Sequence, residues 1–176
     1  MIKKIIFAIL ALLIVAGATF YAINQKDNYD ASKYYLKSTK GLEVGSQIDF
    51  KLPDQFDKTH TLSNKEKIMI FAFSKATGHT VREYFSAVDK GYLKSKNAVI
   101  VADVSKMPVF VRNAFALPDL KESSYSILLI YDKSIAKDLE KNLDKTKIVI
   151  AHLNNKKITK IEYASNQLEL KKILEK

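Results

Sequence analysis

The sequence predicts an α/β domain, with helices on both faces of a mixed sheet, preceded by an N-terminal transmembrane helix. Three observations predict this architecture: a long apolar run near the N-terminus, three short apolar runs that alternate with helical patterns, and two strand-like segments around an asparagine-containing turn. Short unbroken apolar runs are typical of strands buried on both faces. Strands that alternate with helices form a parallel sheet through right-handed crossovers, whereas a hairpin adds antiparallel strands.

The composition excludes several kinds of chemistry. The chain of 176 residues contains no cysteine, so a disulfide, a thiolate nucleophile, a thiolate zinc site and an iron–sulfur cluster are excluded. Its five glycines do not fall into the spacing of a phosphate-binding loop or a dinucleotide fingerprint. Its length and its apolar fraction of 47% fit one globular domain.

The first predicted element is the apolar run from Ile5 to Ile23, which follows Lys3 and Lys4. A helix of this length is about 28 Å long, enough to cross a bilayer. The two lysines predict a cytoplasmic N-terminus and a remainder in the periplasm or outside the cell. Residues 1–23 are therefore interpreted as a signal anchor. A signal peptide cleaved near Ala18 is the alternative, because small residues there suit signal peptidase.

The rest of the chain divides into a tether and a domain. Residues 24–40 are polar and lack a sustained period, so they predict a tether or a juxtamembrane helix. Residues 41–176 contain no internal repeat and no low-complexity tract. They therefore form one predicted folded unit.

The parallel strands are predicted from three apolar runs too short for helices: Ile68–Phe73, Ala98–Val104 and Ser126–Tyr131. A helix between the first two strands is indicated by an apolar stripe, formed by Val81, Tyr84, Phe85, Val88 and Tyr92. A second helix is predicted to begin at Pro108 and to end before Pro118, because proline suits a helix start and disfavours a helical residue before it.

The C-terminal part predicts a hairpin and a last helix. Lys147–Leu153 and Lys157–Tyr163 flank a turn with two asparagines, which tolerate positive φ. The helix Gln167–Leu174 follows, with Ser165 or Asn166 as its N-cap. The hairpin makes the predicted sheet mixed.

Several motifs occur in a fixed order along the domain. Val44-Gly45 precedes Phe50–Thr59, which holds a Phe-x-Leu strand and an Asp-x-x-x-Lys turn, and Leu62-Ser63 follows. After the strand at Ile68 comes Thr77-Gly78-His79-Thr80. This order resembles the redoxin group, which comprises peroxiredoxins and membrane-anchored thiol-disulfide reductases with thioredoxin-like folds. In that group the last motif is Cys-Gly-Pro-Cys at a helix start.

The resemblance implies a thioredoxin-like fold of the redoxin type for residues 41–176. Tyr125–Asp132 and the helical Ile135–Leu143 are similar to the extra strand and helix of redoxins. The chain departs from the group at its functional positions, because threonines replace both cysteines and no proline stands near Lys147, where redoxins have a cis-proline. Asp57 also replaces the usual turn glycine. The chain thus resembles cysteine-free exported redoxin relatives whose role is uncharacterised.

The candidate site is the vestigial active-site motif together with an aspartate that ends the second predicted parallel strand. We expect its residues at the carboxyl ends of parallel strands, the edge where open α/β sheets bind ligands. These residues are Lys75, Thr77, Gly78, His79, Thr80 and Asp103.

The motif residues have structural and chemical interpretations. A threonine activated by His79 would be a nucleophile, whereas Thr80-Val81-Arg82-Glu83 matches a helix capping box. Asp103 could act as an acid or base, or it could bond free amides of the next helix. The histidines lack any short ligand spacing, so no metal site is predicted, and no cofactor motif is present.

The formal charge of +10 comes mainly from dispersed lysines, with arginine only at Arg82 and Arg112. This pattern is typical of a solvated surface and gives no indication of nucleic-acid recognition. The leading hypothesis is a membrane-anchored domain that binds or scaffolds another envelope protein. Two alternatives remain open at this point: a non-thiol enzyme that uses His79 and Asp103, and a lysine-mediated contact with anionic lipid or polymer.

Overall fold

The computed structural model describes residues 2–176, so Met1 lies outside the described residues. Helix α1 comprises Ile2–Asn24 and includes the whole predicted apolar run. None of its residues is buried, and the helix is long and apolar enough to cross a membrane.

The remaining elements alternate between strands and helices along the chain. The strands are β1 (Tyr35–Ser38), β2 (Ile48–Pro53), β3 (Thr59–Thr61), β4 (Ile68–Ala72), β5 (Ala98–Asp103), β6 (Ile127–Ile130), β7 (Ile148–Asn154) and β8 (Lys157–Ala164). The helices are α2 (Lys75–Ser86), α3 (Tyr92–Ser95), α4 (Val109–Val111), a π-helical segment (Arg112–Ala116), α5 (Leu117–Lys121), α6 (Lys133–Leu139) and α7 (Gln167–Leu174).

The central sheet has five strands in the order β6-β5-β4-β7-β8. Strands β4, β5 and β6 are parallel, whereas β7 runs antiparallel to both β4 and β8. A smaller antiparallel sheet has the order β1-β2-β3. The predicted mixed sheet with a C-terminal hairpin is therefore confirmed.

Two hydrophobic cores lie on opposite faces of the central sheet. Because side chains alternate along a strand, Met69 and Phe71 of β4 pack into one core, and Ile70 and Ala72 into the other. The first core is closed by the small sheet and α6, and the second by α2 and α7. Helices thus cover both faces, and β4, the middle strand, is buried between two layers.

Two polar residues at the end of β2 connect the small sheet to the edge strand β6. Gln55 donates from Nε2 to the carbonyl of Tyr125 and accepts from the amide of Ile127, both over 2.8 Å. Asp54 forms an isolated antiparallel bridge with Leu128. The side chain of Gln55 therefore satisfies backbone groups at the start of the edge strand β6 that would otherwise be unpaired. In the turn that follows, Asp57 has a φ of 61°, the left-handed conformation that glycine favours.

The start of β2 is bonded to the C-terminal hairpin. The amide of Ile48 donates to the carbonyl of Lys156 over 2.9 Å, and the amide of Gly45 donates to the carbonyl of Ile158 over 2.8 Å. Lys156 Nζ also lies 2.8 Å from Asp49 Oδ1. Lys156 is itself a turn residue with a φ of 63°, so the tip of the hairpin is anchored by segments more than a hundred residues earlier.

The tether differs from its prediction. Tyr35–Ser38, within the predicted tether 24–40, forms β1 and pairs with β2. Leu36 is buried in the first core. Burial of this apolar side chain stabilises the pairing of β1 with β2.

Two helices also differ from their predictions. The helix that begins after Pro108 does not end before Pro118 but continues to Lys121. The amide of Leu117 donates to the carbonyl of Arg112, five residues back, so the π-helical turn accommodates Pro118, which has no amide hydrogen. Helix α2 ends at Ser86, before two positions of the predicted stripe, although Tyr92 of α3 still packs against the α2 aromatics.

Glu162 on β8 is expected to make the stability of the folded domain sensitive to acid. Burial opposes ionisation of Glu162, but hydrogen bonds from Lys160, Lys176 and His152, over 2.8–3.0 Å, lower its pKa to about 2. Because the folded-state pKa lies below the unfolded value, the stabilisation is complete above the unfolded pKa of about 4.3 and is lost as the pH falls toward 2.

We expect Glu162→Gln to lower the free energy of unfolding at pH 7 by about 1 kcal/mol and to have little effect near pH 2. Urea denaturation of the full-length protein in detergent, followed by circular dichroism across this pH range, measures the difference. A cost that is the same at both pH values would contradict the assignment.

Candidate functional site

Helix α2 begins immediately after the middle strand of the sheet, and its first turn contains the start of the vestigial motif. Ser74 is the N-cap, with an extended backbone at φ −140° and ψ 162°. Its hydroxyl accepts from the amide of Thr77 over 3.2 Å, and its own amide donates to Thr77 Oγ1 over 3.1 Å. This reciprocal pair is a capping box.

The predicted capping box Thr80–Glu83 is therefore wrong. Thr80 lies inside α2, where its hydroxyl donates to the carbonyl of Ala76 over 3.1 Å. Ser74 takes the cap instead, because its backbone is still extended and its short side chain reaches the free amides of the first turn. The motif thus begins at the third helical position.

The motif residues have different surroundings. Thr77 is buried, and its hydroxyl also lies 3.0 Å from the carbonyl of Ser74. Lys75 and His79 are exposed, and His79 Nε2 contacts Glu83 Oε1, one turn further along, over 3.0 Å. Gly78 lies between them, and a β-carbon at this position would meet open space. Both threonine hydroxyls are thus hydrogen-bonded to the helix backbone, and the histidine is paired with a carboxylate.

These contacts predict that the two threonines contribute unequally to stability. Thr77→Val should lower the free energy of unfolding by about 1 kcal/mol, because it removes a cap partner and leaves the Ser74 amide without an acceptor. Thr80→Val, the matched control, removes only a bond to a helix carbonyl and should cost less than about 0.5 kcal/mol. Thermal unfolding of both variants in detergent measures the difference, and equal costs would contradict the capping role.

Asp103 ends β5 at the same sheet edge. Its side chain is almost completely buried; Oδ1 accepts from the amide of Ser105 over 2.9 Å, and Oδ2 lies 3.4 Å from Lys106 Nζ. The bonded amide belongs to the loop before α4, so Asp103 bonds a loop amide and not, as expected, a free amide of the next helix. Among the hydrogen bonds of residues 2–176, none joins Asp103 to His79.

Lys106 extends this contact into a charged network. It forms an ion pair with Glu140, and Glu140 is also 2.8 Å from Lys145 Nζ. Burial opposes the charge on both Lys106 and Glu140, but their mutual hydrogen bond raises the pKa of Lys106 and lowers that of Glu140. Both groups are therefore ionised at neutral pH. The sequence did not predict this network, because its two halves, Asp103 with Lys106 and Glu140 with Lys145, lie more than thirty residues apart with no common motif.

A second unpredicted cluster joins the tether to the domain. Arg112 is buried, and its Nη2 donates to Asp27 Oδ1 over 2.7 Å. Its guanidinium carbon lies 4.7 Å from the ring centre of Tyr131, which stacks on Tyr29 at 4.8 Å. Burial raises the pKa of Tyr131 to about 12. The stack continues from Tyr29 to Tyr34, so the tether packs against the end of β6.

The histidines and the surface depressions give no indication of a cofactor site. Each histidine contacts one carboxylate, and no group of three or more His, Asp or Glu that could hold a metal ion occurs within residues 2–176. Two open depressions on the surface do not include the motif. One is lined by Lys37, Ser38, Thr39, Gln47, Ile48, Asp49 and Lys156, and the other by Glu162, Tyr163, Glu169, Lys172, Ile173 and Lys176.

Comparisons with known proteins identify the fold. No protein-family model and no curated protein matches the sequence. A candidate protein disulfide isomerase from Bacteroides thetaiotaomicron is similar in structure, with a TM-score of 0.52 and 17% identity over 80% of this chain and 89% of that one. Peroxidoxin BcpB from Mycobacterium tuberculosis is similar with a TM-score of 0.51 and 15% identity, over 76% and 95% of the two chains. The chain therefore has the thioredoxin-like fold that the resemblance implies, without any cysteine.

Proposed function

We propose that this chain is a membrane-anchored thioredoxin-like domain on the envelope side of the membrane, which binds another envelope protein and performs no thiol chemistry. The observation that carries the proposal is the state of the motif. Threonines stand where the redoxin group has cysteines, and both hydroxyls are hydrogen-bonded to the backbone of α2. The fold is retained, but the sulfur on which its usual chemistry depends is absent.

The exposed start of α2 supports a binding role. Lys75, His79 and Glu83 are exposed on this helix, whereas Thr77 beneath them is buried. A protein partner can contact such a polar surface directly, without entering a cavity. Helix α1 confines the domain to the membrane surface, so a partner in the same envelope would be held at a high effective concentration.

The contacts of the two proton-transfer candidates do not favour the enzyme alternative. His79 pairs with Glu83 on the outer surface of α2, whereas Asp103 is buried against Ser105 and Lys106. A general acid and base would have to converge on one substrate position. Purified full-length protein is expected to show no disulfide reduction and no peroxide consumption above background. Turnover in either assay would contradict the proposal.

Site-specific photocrosslinking in intact envelopes tests the binding role. A benzophenone amino acid replaces His79 in one variant and Lys94, an exposed residue of α3 just before the amino end of β5, in the control. We expect mass spectrometry to identify an envelope protein crosslinked from position 79 and not from position 94. Equal or absent crosslinking at the two positions would contradict binding through the exposed start of α2.

Salt dependence distinguishes the lysine-mediated alternative. Contact with anionic lipid or polymer through dispersed lysines should collapse when salt is raised to about 1 M, where the Debye length is about 3 Å. A protein partner held by a packed interface should remain crosslinked under the same conditions. Loss of every crosslink at high salt would favour the lysine-mediated contact.

A further inference from the structure

An exposed apolar patch lies on the helical region that follows β5. It consists of the half-buried Phe110 and the exposed Val111 and Phe115; Val111 is 42% exposed and Phe115 is 59% exposed. The rings of Phe110 and Phe115 meet edge to face, with their centres 5.9 Å apart. Residues five apart point in different directions in an α-helix, but the wider π-helical turn brings them onto one side.

This patch adjoins the C-terminal end of α1. The ring of Phe110 lies 5.9 Å from that of Phe20 and 5.1 Å from that of Tyr21. A helix of 23 residues is about 34 Å long, slightly more than the hydrocarbon core of a bilayer. Phe20 and Tyr21 therefore lie where α1 leaves the membrane, at the level where aromatic side chains are enriched.

Polar contacts fix the patch relative to α1. Asn113 Nδ2 donates to the carbonyl of Asn24, the last residue of α1, over 3.1 Å and to the carbonyl of Lys26 over 2.9 Å. The buried Arg112 pairs with Asp27, immediately beyond. The π-helical segment is thus attached to the chain directly after the membrane helix, so the patch cannot swing away from the bilayer without breaking these bonds.

We propose that Phe110, Val111 and Phe115 insert into the interfacial layer of the bilayer that α1 crosses. The inference rests on the anchored topology of the proposed function and extends it to the orientation of the domain. The lipid bilayer is the occupant that the structure favours, because the patch is continuous with aromatic residues of the membrane helix itself. The side of the domain that carries the patch then faces the membrane.

The chain contains no tryptophan, so one introduced tryptophan reports on one position. Full-length Phe115→Trp is reconstituted into vesicles of phosphatidylcholine with or without bromine on the acyl chains. Val44→Trp is the matched control, since Val44 is 64% exposed and lies by Gly45, which is bonded to the hairpin at the opposite edge of the sheet. Leu12→Trp, in the middle of α1, reports insertion of the anchor.

We expect brominated lipid to quench Phe115→Trp and Leu12→Trp emission by about half or more, since interfacial residues reach 5–10 Å into the headgroup and acyl boundary. Val44→Trp should show no quenching and the emission of a residue in water. Quenching of Leu12→Trp without quenching of Phe115→Trp would overturn the patch insertion and leave the anchor intact. Absence of quenching at both positions would overturn the anchored topology as well.

A second copy of the chain is the other occupant that the experiment detects. If it covers the patch, Phe115→Trp emission should be shifted to the blue without lipid quenching and should depend on the protein-to-lipid ratio, which would overturn the proposal. Phe115 is exposed, so its replacement by tryptophan leaves both cores unchanged. Circular dichroism of each variant confirms that it is folded before the emission is compared.

Discussion

Replacing Asp54 by alanine is expected to lower the free energy of unfolding by about 3 kcal/mol. The Asp54 side chain is only 2% exposed. Its carboxylate accepts from the amides of Phe56 and Lys58 over 2.9 and 3.0 Å and from the Ser126 hydroxyl over 3.2 Å. It also contacts His60 Nε2 at 2.8 Å. The truncated variant would leave these donors unsatisfied at the contact between the β2–β3 turn and β6.

Asp54→Asn is the matched control, because it keeps the shape of the side chain and one acceptor oxygen; about half of the loss is expected. Burial opposes ionisation of Asp54, but hydrogen bonds from His60 and two amides hold the pKa of its carboxyl below its usual value. The stabilisation is therefore complete above about pH 4 and is lost as the pH falls through the folded-state pKa. Urea denaturation in detergent at pH 7 and below pH 4 tests both statements. A loss under about 1 kcal/mol for Asp54→Ala, or one independent of pH, would contradict them.

Phe71→Ala is expected to have an effect of at least the same size, about 3–5 kcal/mol. Phe71 is completely buried in β4, the middle strand, and its ring stacks on that of Phe73 with the centres 5.7 Å apart. The strand is hydrogen-bonded on both sides, so the surrounding backbone has little freedom to close the cavity. Natural domains are stable by about 5–15 kcal/mol, so the variant would lose a large share of its stability.

Phe56→Ala is the control for this substitution, because Phe56 is 55% exposed in the turn after β2. Its replacement should change the free energy of unfolding by less than about 1 kcal/mol. Denaturant midpoints of the two variants, measured on the full-length protein in detergent, give the comparison. Similar midpoints would show that the β4 core is not the main source of stability.

The central sheet could be predicted from the sequence because its strands are encoded locally. Each buried parallel strand is a short, unbroken apolar run, and the hairpin has a turn whose asparagines accept positive φ. In the structure Asn155 and Lys156 both adopt positive φ. The second central residue of this turn is thus a lysine, whose conformation follows from the pairing of β7 and β8.

The start of α2 could not be placed correctly from the sequence because the segment that matches the capping pattern better is not the one that caps the helix. Thr80-x-x-Glu83 is a recognised capping pattern, whereas Ser74-x-x-Thr77 uses a threonine at the position where glutamate is usual. The end of β4 decides between them, since the chain is still extended at Ser74. Local pattern alone does not indicate where a strand ends.

The charged network and the tether cluster depend on tertiary structure. Asp103, Lys106 and Glu140 come together because α6 returns the chain to the edge where β5 ends. Arg112 meets Asp27 across 85 positions. A lone arginine and an aspartate in a polar segment carry no local signal of pairing, so these contacts could be found only from the fold.

The bonds between β2 and the tip of the C-terminal hairpin set an order for biogenesis. Strand β4 has β7 as a neighbour on one side, β2 is bonded to Lys156, and Gly45, just before β2, is bonded to Ile158. A nascent chain that has emerged only as far as α6 therefore lacks one of the two neighbours of its central strand and the hairpin contacts at the start of β2. Sequence-distant pairing of this kind delays folding and leaves strand edges open to aggregation. Completion of the central sheet must therefore wait for almost the entire polypeptide, and we expect C-terminal truncation before β7 to leave β4 with an unpaired side.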